Sequence, residues 1–461
     1  MNQFWDNNVW GSFLLVAVLL LGVIIANALK RMVKFLRESL MPASVLGGVI
    51  ILLISYFYKL LFGDDMFGTA FFGENGNTNL EIITYHALAL GFIATTFKSS
   101  RIKASPKRVS EIFNTGVTTV STYLLQGVIG MSLSILSAMV VPGFFQAAGL
   151  LLPFGYGQGT GQALNYGNIY ETEYAFVGGK SFGLSIAALG FLSASIGGVI
   201  YLNILKRRGL INPTKENSRV LHAEEIQGTN EIPMQESMDK LTVQLALVTT
   251  SYLLTFLLMK TLSSLIPGMK SVIFGFNFLL GVLTSTLIKG VIDMLTRRHL
   301  IHRTYVNDFL MTRISNFFFD LMVVAGIAAI RLHVIKSYWP IMLLMGGIGL
   351  VATFAYNYFV AKKLFPQYSR EQFLMMFGML TGTASTGIIL LREIDENFQT
   401  PAADNMVYQN FPAIVFGFPL MLIATFAPRQ PLQSLLILMA AFVIMNLLLF
   451  RASLFHAKAG T

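Results

Sequence analysis

A glycine-rich stretch inside an otherwise apolar chain has the residue types that suit ligand binding. Between residues 151 and 170 the sequence reads LLPFGYGQGTGQALNYGNIY, so that glycines alternate with polar side chains. Because glycine is a poor helix former and unpaired polar groups are costly in lipid, no ordinary membrane helix has this composition. Irregular backbone at membrane depth is tolerated where it is buried in protein or lines a wet cavity, so the stretch is a candidate binding site. Its candidate residues are Tyr156, Gly157, Gln158, Gly159, Thr160, Gly161 and Asn165.

A second stretch of similar character, TGTASTG, lies at residues 381–387. A broken helix leaves unpaired N–H groups at one end and unpaired carbonyls at the other. Positive helix N-termini suit a substrate carboxylate, whereas carbonyls and hydroxyls suit a hard cation such as sodium. The alternative is that these glycines only allow helices to pack closely. The candidate residues here are Thr381, Gly382, Thr383, Ser385 and Thr386.

One acidic residue, Asp320, lies inside an apolar stretch, with Asn316 one helical turn before it. An acid in a membrane span is rare and is a functional candidate by default. It could ligate sodium, carry a coupling proton or bind a substrate ammonium. The alternative is a structural ion pair with Arg313 or Arg331.

The composition identifies the class of protein that must hold these residues. Of the 461 residues, 54% are hydrophobic and only 12% are charged, whereas a soluble domain carries roughly 25% charged residues. We therefore predict an all-α polytopic membrane protein. The absence of cysteine excludes disulfides, thiolate metal sites and a cysteine nucleophile. The net charge of +10 is attributed to basic cytoplasmic loops rather than to nucleic-acid binding.

Eleven spans of about 20 apolar residues are predicted. The first repeat, residues 1–206, contains five, at 9–29, 41–61, 80–97, 110–140 and 179–205. A cytoplasmic linker follows at 207–239. The second repeat, residues 240–427, contains five more, at 241–265, 271–294, 309–330, 340–360 and 406–427. The last segment, 428–461, adds one extra span at 432–450.

Two apolar stretches, about 142–170 and 371–393, are too short to cross the membrane and return, because a helix rises only about 1.5 Å per residue. Both are predicted to be re-entrant hairpins. Basic residues cluster in alternate loops, including Lys98, Arg101, Lys103, Lys107 and Arg108, which predicts an outer N-terminus and a cytoplasmic C-terminus. The hairpins then enter from opposite sides, as inverted-topology repeats require. The related segments GFIATTFK at 91–98 and GIAAIR at 326–331 also recur with the spacing of the two tips.

The runs GYGQGTG and TGTASTG, with PASVLGG at 42–48, resemble the bacterial sodium/glutamate symporter family over about residues 1–427. That family has a GGxGTG re-entrant loop, a related second loop and a P-x-x-V-x-G-G start to its second span. The match places Gly157, Gly159, Thr160 and Gly161 on the first loop, and Gly382 and Thr386 on the second. Weaker matches include Asn316 and Arg331. The chain departs from the pattern at Tyr156, Gln158 and Asp320, where the family has a glycine, a histidine in its best-known members and a small polar residue.

The resemblance implies a secondary active transporter, a sodium-coupled symporter of glutamate or a related amino acid or carboxylate. It further implies a homodimer in the bacterial inner membrane, an elevator-like movement and no cofactor besides sodium as the coupling ion. The alternatives are a proton-coupled transporter of another small organic anion, and a channel of similar architecture. An enzyme acting on lipids is disfavoured because no acid–base or metal cluster is evident. The nearest acids, Glu171 and Glu173, are expected to be solvated.

Overall fold

The computed structural model describes residues 3–98, 105–211, 231–232, 234, 238–396 and 398–451. Within these ranges the chain is helical, without strands and with one isolated parallel β-bridge between Glu231 and Thr304. The predicted all-α class is confirmed for this part of the protein. Arg101, Lys103, most of the predicted linker at 207–239 and residues 452–461 lie outside the described residues.

The helices are numbered in chain order, leaving out short 3-10 turns. The first half of the chain forms α1 (Asn7–Met32), α2 (Lys34–Glu38), α3 (Ala43–Phe62), α4 (Gly76–Phe97), α5 (Pro106–Val140), α6 (Leu151–Tyr174) and α7 (Gly179–Arg207). The second half begins with α8 (Lys240–Leu265), α9 (Lys270–Gly275), α10 (Asn277–Arg297), α11 (Asp308–Ala328) and α12 (Trp339–Leu364). It ends with α13 (Ser369–Thr381), α14 (Ala384–Arg392), α15 (Ala402–Tyr408), α16 (Asn410–Phe426) and α17 (Pro431–Leu449).

The described part of the chain contains ten helical segments long and apolar enough to cross a membrane. The pair α15 and α16 makes an eleventh if these helices, bent by 53° to one another, count as one span. The chain is therefore a multi-pass membrane protein. The bend lies near Pro412, the third residue of α16. Proline has no N–H that could continue the hydrogen-bond ladder from α15.

The predicted span at 271–294 is likewise divided, into α9 and α10. The carbonyl of Gly275, the last residue of α9, accepts a hydrogen bond from the side chain of Asn165. That carbonyl is thus engaged by α6, at the point where α9 and α10 part.

Several helix contacts made in the first half of the chain have a similar contact in the second half. α1 packs on α3 as α8 packs on α10, and α3 packs on α11 as α10 packs on α4. α7 packs on α12 as α16 packs on α5. The helices at the centre, α4 and α5 of the first half, pack on α11 and α12 of the second half. The halves are therefore interleaved around one core rather than set side by side.

Two further contacts hold the periphery. The extra helix α17 lies against α5, and its Asn446 accepts a 2.9 Å hydrogen bond from the hydroxyl of Tyr356 on α12. At the start of α8, the ammonium of Lys240 lies 2.6 Å from the carboxylate of Glu231, and the two side chains are only 1% and 9% exposed. This buried ion pair fixes the end of the linker against the helical body.

Candidate functional site

The first glycine-rich stretch folds back on itself at Gly159. This residue has φ 79° and ψ −169°, a conformation open essentially only to glycine. The rings of Phe154 and Tyr166 stack at 3.9 Å between centroids, and Phe145 lies 5.1 Å from Tyr170. In one continuous helix, residues twelve apart would be separated by about 18 Å. Residues 151–158 and 160–174 are therefore two antiparallel arms that meet at Gly159.

The second stretch makes a similar turn between α13 and α14. The arms touch closely, since a Cβ on Gly378 would lie 2.8 Å from the Cα of Gly387. The break spans Gly382 and Thr383, and the Thr383 hydroxyl accepts a 3.3 Å hydrogen bond from the Thr386 amide. Thr383 thus caps the N-terminus of α14.

The two turns, which we call the tips, meet inside the protein. A Cβ on Gly159 would lie 3.9 Å from the carbonyl oxygen of Gly382 and 3.9 Å from Cγ2 of Thr383. On α7, Gly190 lets the second tip approach, because a Cβ there would lie 2.5 Å from the carbonyl oxygen of Thr381. Two helix N-termini and two helix C-termini are thus gathered at one place, near Gly159.

Thr160 and Gly161 place the first tip between α4 and α11. The buried Thr160 hydroxyl donates a 3.3 Å hydrogen bond to the carbonyl oxygen of Met322. Any side chain at Gly161 would lie within 3 Å of both Leu88 and Met322. This tip is held by side chains of one helix from each half.

The hydroxyl of Tyr156 is hydrogen-bonded to two neighbouring helices. Its buried hydroxyl donates a 2.7 Å hydrogen bond to the carbonyl oxygen of Gly346 on α12 and lies 2.9 Å from the Ser193 hydroxyl on α7. Tyr156 therefore connects three elements. Asn165 is engaged in a similar way, through its bond to Gly275.

The other predicted residues differ in how much of their surface is available. Gln158, Thr383 and Ser385 are half-buried at the tips, whereas Thr381 and Thr386 are fully buried. The Thr381 hydroxyl donates a 2.6 Å hydrogen bond to the carbonyl oxygen of Phe377 within its own helix. Among the candidate residues of the tips, these three half-buried ones have the side chains most accessible to a ligand.

The arm after the first tip carries a buried amide without protein partners. Gln162 is 1% exposed, and neither its side-chain oxygen nor its nitrogen has a hydrogen-bond partner among the described residues. A buried polar group in this condition costs about 1–3 kcal/mol. Gln162 is therefore a candidate ligand-binding residue.

The structure adds residues of α5 and α12 that sequence reasoning missed. Gln126 donates from Nε2 to the carbonyl oxygen of Leu380 at 2.9 Å and to the Thr353 hydroxyl at 3.0 Å. The Tyr123 hydroxyl donates a 3.1 Å bond to the carbonyl oxygen of Gly157. α5 thus contacts both tips. The available signal was the polar run TGVTTVSTYLLQ at 115–126, inside a predicted span.

Asp320 lies away from the tips. Its carboxyl faces Ser44 at the start of α3, whereas Met322, two residues on, contacts the first tip. Two residues correspond to about 200° around a helix, so the two side chains point in nearly opposite directions. Asn316, one turn earlier, is exposed like Asp320.

The two arginines considered as partners for Asp320 are engaged elsewhere. Arg331 binds the Glu81 carboxylate at 3.1 Å, and the Arg313 guanidinium lies over the ring of Phe309 at 4.9 Å.

A cavity of about 470 Å³ opens beside the end of the first hairpin that lies away from its tip, lined by Glu81, Glu171, Lys180 and Arg331 among others. Lys180 lies 2.8 Å from the Glu81 carboxylate and 3.7 Å from that of Glu171. Glu171, which was expected to be solvated, keeps 30% of its side chain exposed and also lies beside Lys180 at the start of α7. The two carboxylates and the two basic side chains together carry no net charge, and they form ion pairs with one another.

The described residues include no group of three or more His, Asp or Glu side chains that could hold a metal ion. Comparison of the chain with models of known protein families and with curated proteins finds no match. The geometry of the tips is therefore the basis for assigning a function.

Proposed function

We propose that this chain is a secondary active transporter for glutamate or a related amino acid or carboxylate, coupled to sodium. The observation that carries the proposal is the meeting of two helix breaks from different halves of the chain, at Gly159 and Gly382. Helix N-termini at such breaks attract a substrate carboxylate, and the carbonyl ends and hydroxyls suit a hard cation.

An inverted repeat with two re-entrant hairpins is the architecture we assign to it. Corresponding helices of the two halves run antiparallel where they meet, as inverted topology requires. Between α4 and α11, Thr95 lies 2.7 Å from Ser315 while the earlier Gly91 lies beside the later Phe319. Between α5 and α12, Gln126 bonds to Thr353 while the earlier Thr122 accepts from the later Asn357.

In the mechanism we propose, substrate and sodium bind between the tips and contact Gln158, Thr383 and Ser385. Thr160 and Thr386 would add hydroxyls after a small rearrangement, and Gln162 would supply an amide. Access then alternates by an elevator-like movement of the body that holds both hairpins. Tyr156 and Asn165 keep the first hairpin in shape through their bonds to neighbouring helices.

Asp320 has a role in the alternative with proton coupling. Its exposed carboxyl on α11 would carry the proton, with Asn316 one turn away on the same side of the helix. In the sodium-coupled mechanism it contributes charge near the start of α3.

The setting of the protein is proposed on the loop charges and the family resemblance. We place it in the bacterial inner membrane as a homodimer, with the N-terminus outside and the C-terminus in the cytoplasm. Sodium is then the only ion required, and no enzymatic activity is assigned.

The test is uptake into proteoliposomes containing the purified chain, with and without an inward sodium gradient, over a panel of amino acids and dicarboxylates. We expect at least one compound to be concentrated inside only when sodium is present outside. Uptake driven by a proton gradient but indifferent to sodium would select the alternative. Flux that never exceeds equilibration would identify a channel.

A further inference from the structure

A row of polar side chains follows one face of α5, from its basic end to the tips. Its members, which we call the α5 row, are Glu111, Thr115, Thr119, Thr122 and Gln126. At 100° per residue this spacing keeps all five within about 80° around the helix, over about 22 Å of its length. The last four are completely buried, at 0% exposure. A continuous polar face is therefore enclosed between helices.

Side chains from the second half of the chain cover this face with amides. Gln372 on α13 donates a 3.1 Å hydrogen bond to the Thr115 hydroxyl, and Asn405 on α15 donates to the oxygen of Gln372 at 3.2 Å. Nearer to the tips, Asn357 on α12 donates to the Thr122 hydroxyl at 3.4 Å. The enclosure is thus lined with amide and hydroxyl groups along its length.

Four amide oxygens along the row have no hydrogen-bond partner among the described residues. They belong to Gln126, Asn357, Asn405 and Gln409, and none of these residues is more than 3% exposed. Each buried unpaired oxygen costs about 1–3 kcal/mol, and folded proteins rarely leave such groups unpaired. Four such oxygens along one buried row indicate that water or a cation satisfies them.

The type of the unpaired atoms, donor or acceptor, determines which charge the ligand carries. The nitrogens of Gln126 and Asn357 donate to the backbone carbonyls of Leu380 and Thr353, which identifies the unpaired atoms as oxygens. The donors are engaged and the acceptors are free, so the row attracts cations and water rather than anions. Neutral oxygens of this kind can replace the hydration shell of a monovalent ion.

The basic end of the row carries carboxylates as well. Arg108 lies 2.6 Å from Glu111 and 3.8 Å from Asp404. The carboxylates of Glu111 and Asp404 flank one guanidinium at this end of the row, so that carboxylate oxygens are available to an arriving or departing cation.

We propose that the α5 row is a hydrated passage along which a monovalent cation moves between the tips and the basic end of α5. The direction of ion movement rests on the proposed function, because coupling to sodium requires the ion to reach the cytoplasm. The existence of a cation-accessible passage does not depend on which substrate is carried.

The absence of cysteine from the chain makes the test direct. The Thr119→Cys variant, in inverted membrane vesicles, is treated with Ag⁺, a monovalent thiol-binding cation, or with the anionic methanethiosulfonate reagent MTSES. Unreacted thiol is then counted with a fluorescent maleimide after denaturation. Val120→Cys is the matched control, because Val120 is equally buried but is turned about 100° from Thr119, away from the row. Thr115→Cys provides a second position if the first variant does not fold.

We expect Ag⁺ to block Thr119→Cys at least about 10-fold faster than Val120→Cys, with sodium, but not choline, slowing the reaction and MTSES leaving both thiols free. Equal rates at the two positions in folded protein would overturn the passage, as would a fast reaction with MTSES. Failure of uptake in the proteoliposome assay, with Ag⁺ still reaching Thr119→Cys, would reject the transport function and leave the passage.

Discussion

Gln126 on α5 donates a 2.9 Å hydrogen bond from its Nε2 to the carbonyl oxygen of Leu380, in the last turn before the second tip. The contact joins residues 254 positions apart in the sequence. It ties the centre of the first half of the chain to the candidate site in the second half.

Replacing Gln126 with leucine should therefore disturb the tip as well as the fold. The variant leaves the carbonyl of Leu380 and the hydroxyl of Thr353 without this donor, so we expect a loss of about 1–3 kcal/mol in stability and weaker substrate binding. Gln244→Leu is the control, because Gln244 is equally buried and donates to the carbonyl of Tyr305, away from the tips. Thermal unfolding and ligand binding in detergent measure both effects. Equal affinity in the two variants would contradict the assignment.

Gly159→Ala should abolish uptake. Its backbone conformation is nearly exclusive to glycine, and forcing alanine into it costs roughly 1–3 kcal/mol at the tip. Gly63→Ala serves for comparison, since Gly63 also has a positive φ of 83° and has open space around it at the end of α3. We expect Gly63→Ala to lose about 1–2 kcal/mol of stability and to keep transport. Full uptake by Gly159→Ala would show that the first tip need not keep this shape.

Thr160→Val and Thr386→Val should each weaken substrate binding, because each removes one buried hydroxyl beside the tips without changing the side-chain volume greatly. A loss of about 0.5–1.5 kcal/mol, which is roughly 2- to 10-fold in affinity, is expected for one hydrogen bond. Thr255→Val removes an equally buried hydroxyl between α8 and α10, far along the chain from both tips, and should leave affinity unchanged. Calorimetric titration with the transported compound would decide, and unchanged affinity in both tip variants would count against the site.

His333, in the loop after α11, should make stability depend on pH. Partial burial, reinforced by Lys59 and Arg331 and opposed by Asp65, holds the pKa of His333 below its ordinary 6.5. The unfolded chain therefore binds a proton that the folded chain resists, so this contribution to stability is complete above pH 6.5 and is lost as the pH falls below it. The loss should be under about 1 kcal/mol because the site is largely exposed.

Unfolding of the wild type and of His333→Gln at pH 7.5 and pH 5.5 would measure that contribution. The part of the acid destabilisation due to His333 should disappear in the variant. An identical pH dependence in the two proteins would exclude the role of His333.

Much of the fold was predictable because apolar length and polar interruption are local properties of a sequence. The helix breaks fall at Gly159 and Gly382, inside the two stretches chosen for their composition. The bent pair α15 and α16 was predicted as one span, because a single proline near a helix start is compatible with either outcome.

The partners of polar residues were less predictable, because they depend on which helices become neighbours. Thr115 and Thr122 each donate to the backbone carbonyl four residues earlier, as serine and threonine do in many helices. Nothing in the sequence alone distinguishes those threonines from others that also line an enclosure. Asp320 illustrates the same limit, since its neighbour Ser44 belongs to α3 and is 276 residues away by number.

The glycines around the first hairpin have a mechanical consequence. Gly130 of α5 and Gly149 of the hairpin place backbone directly against backbone, and Gly167 does the same with Gly179 of α7, where a Cβ would lie 2.5 Å from the carbonyl oxygen. Against α4 and α11 the hairpin instead rests on the side chains of Leu88 and Met322. Side chains can change rotamer to accommodate a shift of the hairpin, whereas two touching glycine backbones have no side chain that could do so. In the proposed mechanism we therefore expect a displacement of the first tip to carry α5 with it, so that the ion's route and its binding place would travel as one piece.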